Sequence, residues 1–121
     1  MIRVLLIDDN KDILFNFKEL FEINGYEAKI AFDGEEGFRQ LEKSNFNVVV
    51  CDMNMPKMSG FQFVNKVVSD ETLPPVPVII HSGNLSELER LQFEKLGVAA
   101  FLKKGTPFEK FNEEILKILS N

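Results

Sequence analysis

Cysteine is nearly absent from this chain. The one residue, Cys51, permits no internal disulfide framework, so the fold rests on packing. Cys51 stands inside an apolar run, where its default role is to fill the core. Long hydrophobic runs are also lacking. No stretch approaches the ~20 apolar residues that a membrane-spanning helix needs. The N-terminal apolar stretch Ile2–Ile7 is short and runs straight into acids, unlike a signal peptide. Positive charge is in deficit. A net charge of −5 excludes nucleic-acid binding through a broad basic surface, and some of that charge could be concentrated in an acidic site that holds a cation. No repeat, low-complexity segment or linker interrupts the chain. The expectation is a soluble cytoplasmic protein with no membrane or direct nucleic-acid contact. It forms one domain over 1–121, long enough to bury a real core.

What is present is a regular alternation. Apolar runs at Ile2–Ile7, Tyr26–Ala31, Val48–Cys51, Val78–Ile80 and Ala99–Leu102 read as five strands. Between them lie segments with apolar residues at helical spacing. The first is capped near Asn10 and carries Ile13, Leu14, Phe17, Leu20 and Phe21 as far as about Asn24. A short helix over Glu35–Leu41 follows. A third begins near Gly60 with Phe63, Val64, Val67 and Val68. Ser86 and Glu89 form a capping-box pattern at the start of a fourth, which ends at Gly97. Pro107 suits the first position of the last helix, with Phe108, Phe111, Ile115, Ile118 and Leu119 as its stripe. This βα alternation implies an α/β fold, a doubly wound parallel five-stranded sheet. The first, third and fourth strands are the most apolar. The flavodoxin-like order 2-1-3-4-5 buries those three in the middle. With the chain running from the first strand to the last helix, nothing is left over for a second domain.

The strand ends carry the chemistry. The first strand stops at Asp8-Asp9, the third at Asp52, the fourth at His81-Ser82-Gly83 and the fifth at Lys103-Lys104. In an open α/β sheet, ligands bind outside the carboxyl ends of the strands at the switch point, here between strands 1 and 3. Three carboxylates gathered there repel one another, and a hard divalent cation resolves the repulsion. Mg²⁺ takes one or two carboxylates, retained waters and a phosphate oxygen. A carboxylate attacking phosphorus yields an acyl phosphate, with metal and lysine stabilising charge on the transferring group. Alternation turns His81 away from Ser82, so His81 reads as structural. Met53, Met55 and Met58 read as loop packing.

These pieces, in this order, resemble the response-regulator receiver domain (CheY-like) of two-component signalling over the whole chain. The resemblance lies in Asp8-Asp9-Asn10, in Asp52-Met53-Asn54-Met55-Pro56 with Gly60, in His81-Ser82-Gly83, and in Phe101 to Lys104. It implies that Asp52 is the phosphoacceptor. It implies that Asp8, Asp9, Asp52 and the Asn54 main-chain carbonyl hold Mg²⁺ or Mn²⁺. Ser82 would be the switch hydroxyl and Phe101 the switch aromatic. The implied partners are a histidine kinase or histidine phosphotransfer protein. A downstream protein would meet the helix 4–strand 5–helix 5 face, with phosphorylation-dependent homodimerisation a further expectation. The protein would be a signalling domain that promotes its own phosphorylation and dephosphorylation, rather than an enzyme.

One departure stands out. The family usually has a proline directly after its lysine, whereas Gly105-Thr106 follow here and Pro107 comes later. Two lysines therefore compete. Only one can reach the phosphate, because strand neighbours point to opposite faces. Counting from Gly97, with the aromatic three residues before the lysine, selects Lys104 over Lys103. Two other functions share these residue types. An aspartate-based phosphohydrolase of the haloacid dehalogenase type would carry its nucleophile after the first strand and need a substrate-capping insert. A phosphorylation-independent pseudo-receiver scaffold would not need the intact acids. On the fourth helix, Leu91 and Phe93 lie too far apart around the axis for one stripe to bury both. The resemblance implies that Phe93 packs inward, four residues before Gly97, which leaves Leu91 nearer solvent, where it would suit a docking face.

Overall fold

Burial on both faces is why three strands read as unbroken apolar runs. The computed structural model describes residues 1–120. Strands β1 (Arg3–Ile7), β3 (Val48–Asp52) and β4 (Val78–Ser82) fill the centre of a parallel sheet, between β2 (Glu27–Ala31) and β5 (Ala100–Lys103) at its edges. The order is β2-β1-β3-β4-β5, as the apolar content of the strands predicts. The crossovers run through α1 (Lys11–Ile23), α2 (Gly34–Lys43), α3 (Gly60–Ser69) and α4 (Glu87–Lys95), and α5 (Phe108–Leu119) closes the fold. Among the described residues no helix is long and apolar enough to cross a membrane.

Strand alternation divides the core into two layers. Leu5, Ile7, Val49, Cys51 and Ile80 face Phe38, Phe63 and Phe93, from α2, α3 and α4. Val4, Leu6, Val48, Val50 and Ile79 face Leu14, Phe21, Phe111 and Ile115, from α1 and α5. Cys51 is fully buried, and Met53 is buried in the first layer with Met55 and Met58 packed against it. The helices begin where side chains can satisfy free backbone N–H groups. Asn10 accepts from the Ile13 amide and Asp33 from the Glu36 amide. Ser59 with Gln62 and Ser86 with Glu89 form reciprocal capping boxes.

Several details depart from the sequence expectations. Leu20 and Val68 belong to their helical stripes by spacing, yet both are exposed. Leu14, Phe17 and Phe21 already fill the seam of α1, and Leu20 lies about 100° around the axis from Phe21. Val68 is likewise one residue past Val67, which ends the seam of α3. Pro107 takes the N-cap position rather than the first helical one, with extended dihedrals of φ −60° and ψ 149°. Helix α4 ends at Lys95, before Gly97, and β3 and β4 run on to include Asp52 and Ser82.

One glycine fixes how the chain leaves β3. The Gly60 amide donates to the Met53 carbonyl at 2.8 Å, folding the start of α3 back onto the strand end. A Cβ at Gly60 would lie 2.5 Å from the Asp52 carbonyl oxygen and 2.8 Å from the Met53 Cα. Backbone atoms cannot yield as a flexible side chain can. Gly60→Ala is therefore expected to destabilise the fold by about 1–3 kcal/mol, read from the urea midpoint, because the site is overpacked.

Candidate functional site

The register of the sheet decides which side chains meet. In a parallel sheet, residues paired across strands share a face. Asp52 pairs with His81 and His81 with Leu102. Asp8 and Asp52 follow Leu6 and Val50 by alternation, so they rise from the α1/α5 side of the sheet. Both are buried, while Asp9, the next residue along, is exposed. Carboxylate oxygens of Asp8, Asp9 and Asp52 all lie within 4.8 Å of one another. Asn54 follows Asp52 in the β3–α3 loop and is exposed. Asp8 also accepts a hydrogen bond from the Asn10 amide at 2.9 Å, which ties the acid pair to the start of α1.

Lys104 enters this cluster from β5. Its amide donates to the Ser82 carbonyl at 2.9 Å, carrying the ladder one residue beyond the strand. Lys104 thus keeps the alternation of Ala100 and Leu102 and shares their face with Asp52. Its Nζ lies 3.2 Å from Asp52 Oδ1 and 3.4 Å from Asp8 Oδ2. Lys103 points the other way and is exposed. The missing proline is replaced by a different turn. The Thr106 amide donates to the Lys103 carbonyl at 3.0 Å, with Gly105 at the third position of that turn and φ +91°. A positive φ there calls for glycine.

Electrostatics show a loaded site. Burial raises the Asp52 carboxyl above its ordinary value of 3.8, and Asp8 raises it further. Lys104 opposes both, with a smaller contribution from the Asn54 main-chain amide. Burial alone would lower the Lys104 ammonium, but Asp52 and Asp8 outweigh it and leave it raised. A second cation would relieve the remaining strain. Three convergent carboxylate oxygens, hard donors with no sulfur or imidazole among them, fit a hard divalent ion.

Ser82 lies on the opposite face from His81. Its Oγ donates to the Asn84 carbonyl at 3.0 Å and accepts from the Asn84 amide at 3.3 Å. Phe101 shares that face, half-buried, with its ring 6.2 Å from the Phe93 ring. Phe93 is 1% exposed and Leu91 51%: one stripe does not bury both, and Phe93 is the inward one, as the resemblance implies. Ser82 and Phe101 border a cavity of about 230 Å³ that also reaches Arg90. Two features escape sequence reading. The Arg90 guanidinium covers the Phe101 ring at 4.5 Å, a side-chain contact between α4 and β5 that neither spacing nor alternation signals. His81 sits between the Phe17 and Phe111 rings, at 5.0 and 5.2 Å, and its Nε2 has no partner among the described residues.

This arrangement has relatives. Residues 4–116 match the model of the response regulator receiver domain family. The chain belongs to that family. Among its relatives is the chemotaxis protein CheV3 of Helicobacter pylori, 32% identical over 97% of this chain and 40% of that protein. Another is protein PilH of Pseudomonas aeruginosa, 25% identical over 99% of both. The chain spans less than half the length of several curated relatives, and only 13% of the gliding motility regulatory protein of Myxococcus xanthus. Two solved receiver domains superpose closely. The one from Clostridium thermocellum is 31% identical, with a TM-score of 0.87 over 97% of this chain and 93% of that one. The CheY-like domain from Methanospirillum hungatei is 28% identical, with a TM-score of 0.91 over 99% and 94%. The family is that of receiver domains of two-component signalling, which are signalling domains and not classical enzymes.

The raised Asp52 carboxyl gives a prediction with a definite sign. A carboxyl raised on folding favours the native state when protonated and costs stability when charged. That cost grows as pH rises from the ordinary carboxylate range through the raised native value. In metal-free buffer, Asp52→Asn should therefore melt above the wild type at pH 7. The gap should close as acid protonates Asp52, and melting curves across pH check this.

Proposed function

We propose that this receiver domain is a phosphorylation-dependent switch with Asp52 as phosphoacceptor. The observation that carries the reading is Lys104 Nζ 3.2 Å from Asp52, beside three carboxylates whose oxygens converge within 4.8 Å. An Asp52 oxygen attacks the phosphorus of a phosphohistidine on a histidine kinase or phosphotransfer protein. The new bond is an acyl phosphate, the phosphorus–nitrogen bond breaks, and the imidazole leaves with that electron pair and takes up a proton. Lys104 stabilises charge on the equatorial oxygens. Asp8, Asp9, Asp52 and the Asn54 main-chain carbonyl would hold Mg²⁺ or Mn²⁺, which supplies further charge neutralisation there. Ser82 gives up its Asn84 contacts to donate to a phosphoryl oxygen. Phe101 rotates toward the space beside Ser82, and the face formed by α4, β5 and α5 changes its partner preference as a two-state element. The domain in this way promotes its own phosphorylation and dephosphorylation.

Acetyl phosphate with Mg²⁺, read by intact-mass spectrometry, tests this against its alternatives. A single phosphoryl adduct is expected on the wild type and none on Asp52→Asn. An adduct surviving in that variant would sink the assignment. Turnover of varied phosphate esters would favour a phosphohydrolase, and no adduct at all a scaffold. Asp9→Ala should weaken Mg²⁺ binding sharply in titration while the fold survives. Lys104→Ala should impair phosphorylation, and Lys103→Ala should do little.

The output face carries its own prediction. Leu91 is half exposed on α4, and Leu88 is 66% exposed. Leu91→Ser should leave phosphorylation normal and weaken phosphate-dependent association, with a downstream protein or with a second copy. Sedimentation of the phosphorylated domain, alone and with its partner, measures this.

A further inference from the structure

Lys104 stands one residue past the end of β5, so its neighbours must hold it in place. The peptide unit that joins Lys103 to Lys104 is clamped at both ends. On one side the Lys104 amide donates to the Ser82 carbonyl at 2.9 Å. On the other, the Lys103 carbonyl accepts twice from Thr106, from its amide at 3.0 Å and from its hydroxyl. A peptide unit is planar, so fixing both its carbonyl and its N–H fixes the Lys104 Cα and the direction in which the side chain leaves it. Among the described residues the ammonium itself has only Asp52 and Asp8 as hydrogen-bond or ion-pair partners. Those contacts change when a phosphoryl group or a metal engages the carboxylates. The backbone clamp does not depend on them. Two of its three hydrogen bonds are main-chain contacts, open to any residue in this turn. The third belongs to the Thr106 side chain.

We propose that Thr106 is a positioning residue for phosphorylation, whose hydroxyl holds the Lys103 carbonyl and so sets where the Lys104 ammonium meets the transferring group. The inference rests on Asp52 as phosphoacceptor and Lys104 as the cation beside it. Thr106 has this task because no proline follows the lysine. A proline ring would restrain the backbone there covalently. Gly105 stands in its place at φ +91°, with nothing within 4 Å of where a Cβ would lie, and restrains nothing by itself. The direction of the effect follows from the geometry. Lys104 Nζ already lies 3.2 Å from Asp52 and 3.4 Å from Asp8, so loosening its backbone spreads the ammonium over positions farther from the reacting oxygens. The same loosening removes a cation that competes with Mg²⁺ for those carboxylates. Phosphorylation should slow while Mg²⁺ binding holds or tightens. General damage to the site would weaken both.

The test compares Thr106→Val and Thr106→Ser with the wild type. Adduct formation from acetyl phosphate is followed by intact-mass spectrometry at saturating Mg²⁺, and Mg²⁺ affinity is titrated separately. Thr106→Val keeps the shape and loses the hydroxyl. It should form the adduct about two- to tenfold more slowly, the population bias that one net hydrogen bond supplies, and bind Mg²⁺ at least as tightly as the wild type. Thr106→Ser keeps the hydroxyl and should stay near the wild-type rate. An unchanged or faster rate in Thr106→Val would overturn the role of Thr106. So would a Thr106→Ser variant as slow as Thr106→Val, or a Mg²⁺ affinity that falls in step with the rate. Lys104→Ala phosphorylating like the wild type would overturn the role of Lys104, and the inference with it. Absence of any adduct on the wild type would instead overturn the phosphoacceptor reading on which both rest.

Discussion

The bridge from Lys104 to two buried carboxylates is the contact on which the site depends. Parallel strands end at the same edge of a sheet, so Asp8 and Asp52 are brought together by the fold and not by mutual attraction. Their repulsion is built into the sheet and needs a compensating cation. Lys104 supplies one from a strand two places away from β3, through a ladder that runs one residue past its formal end. The Gly105 turn then takes the chain off toward α5 without disturbing that register. An ammonium shared between two carboxylates offsets part of the repulsion and still leaves Asp52 raised.

The sheet also separates the chemistry from its consequences. The acids, Lys104 and His81 belong to the face covered by α1 and α5. Ser82, Phe101 and Arg90 belong to the face toward α4. Asp52 and Ser82 are the last residues of β3 and β4, on opposite faces of the sheet at the same edge. On the proposed reading, a phosphoryl group on Asp52 would sit at that edge. On that reading, a displacement of Ser82 toward it would be felt on the α4 face.

Much of this was legible in the residues. Strand order followed from which runs were wholly apolar, because a strand buried on both faces admits no polar alternation. Alternation left room for only one of Lys103 and Lys104, and the count from Gly97 with the aromatic three residues before chose Lys104. Helical angle kept Leu91 and Phe93 out of one stripe, and the family resemblance put Phe93 inward. The parts that escaped share a physical reason. Leu20 and Val68 obey helical spacing yet lie outside seams already filled by larger neighbours, and spacing cannot say how wide a seam the sheet offers. Pro107 was displaced by one position because boundary residues are set by the turn before them. Arg90 over Phe101 arises from packing between a helix and the strand that follows it, and His81 between Phe17 and Phe111 from packing between elements far apart in sequence. Even the replacement for the missing proline became intelligible only through the turn that Gly105 closes.

His81 is the one histidine of the chain. It is wedged between rings from α1 and α5, and burial, aided by Lys104, lowers its imidazole to about 4. The ring therefore stays neutral across the physiological range, and its proton resonances do not drift with ordinary changes of buffer. It stands beside Asp52 on the neighbouring strand, yet in the layer that the α4 face does not touch. The molecule thus carries an intrinsic, singly represented spectroscopic probe. Needing no label, it reports on the acidic edge from the side of the sheet opposite α4.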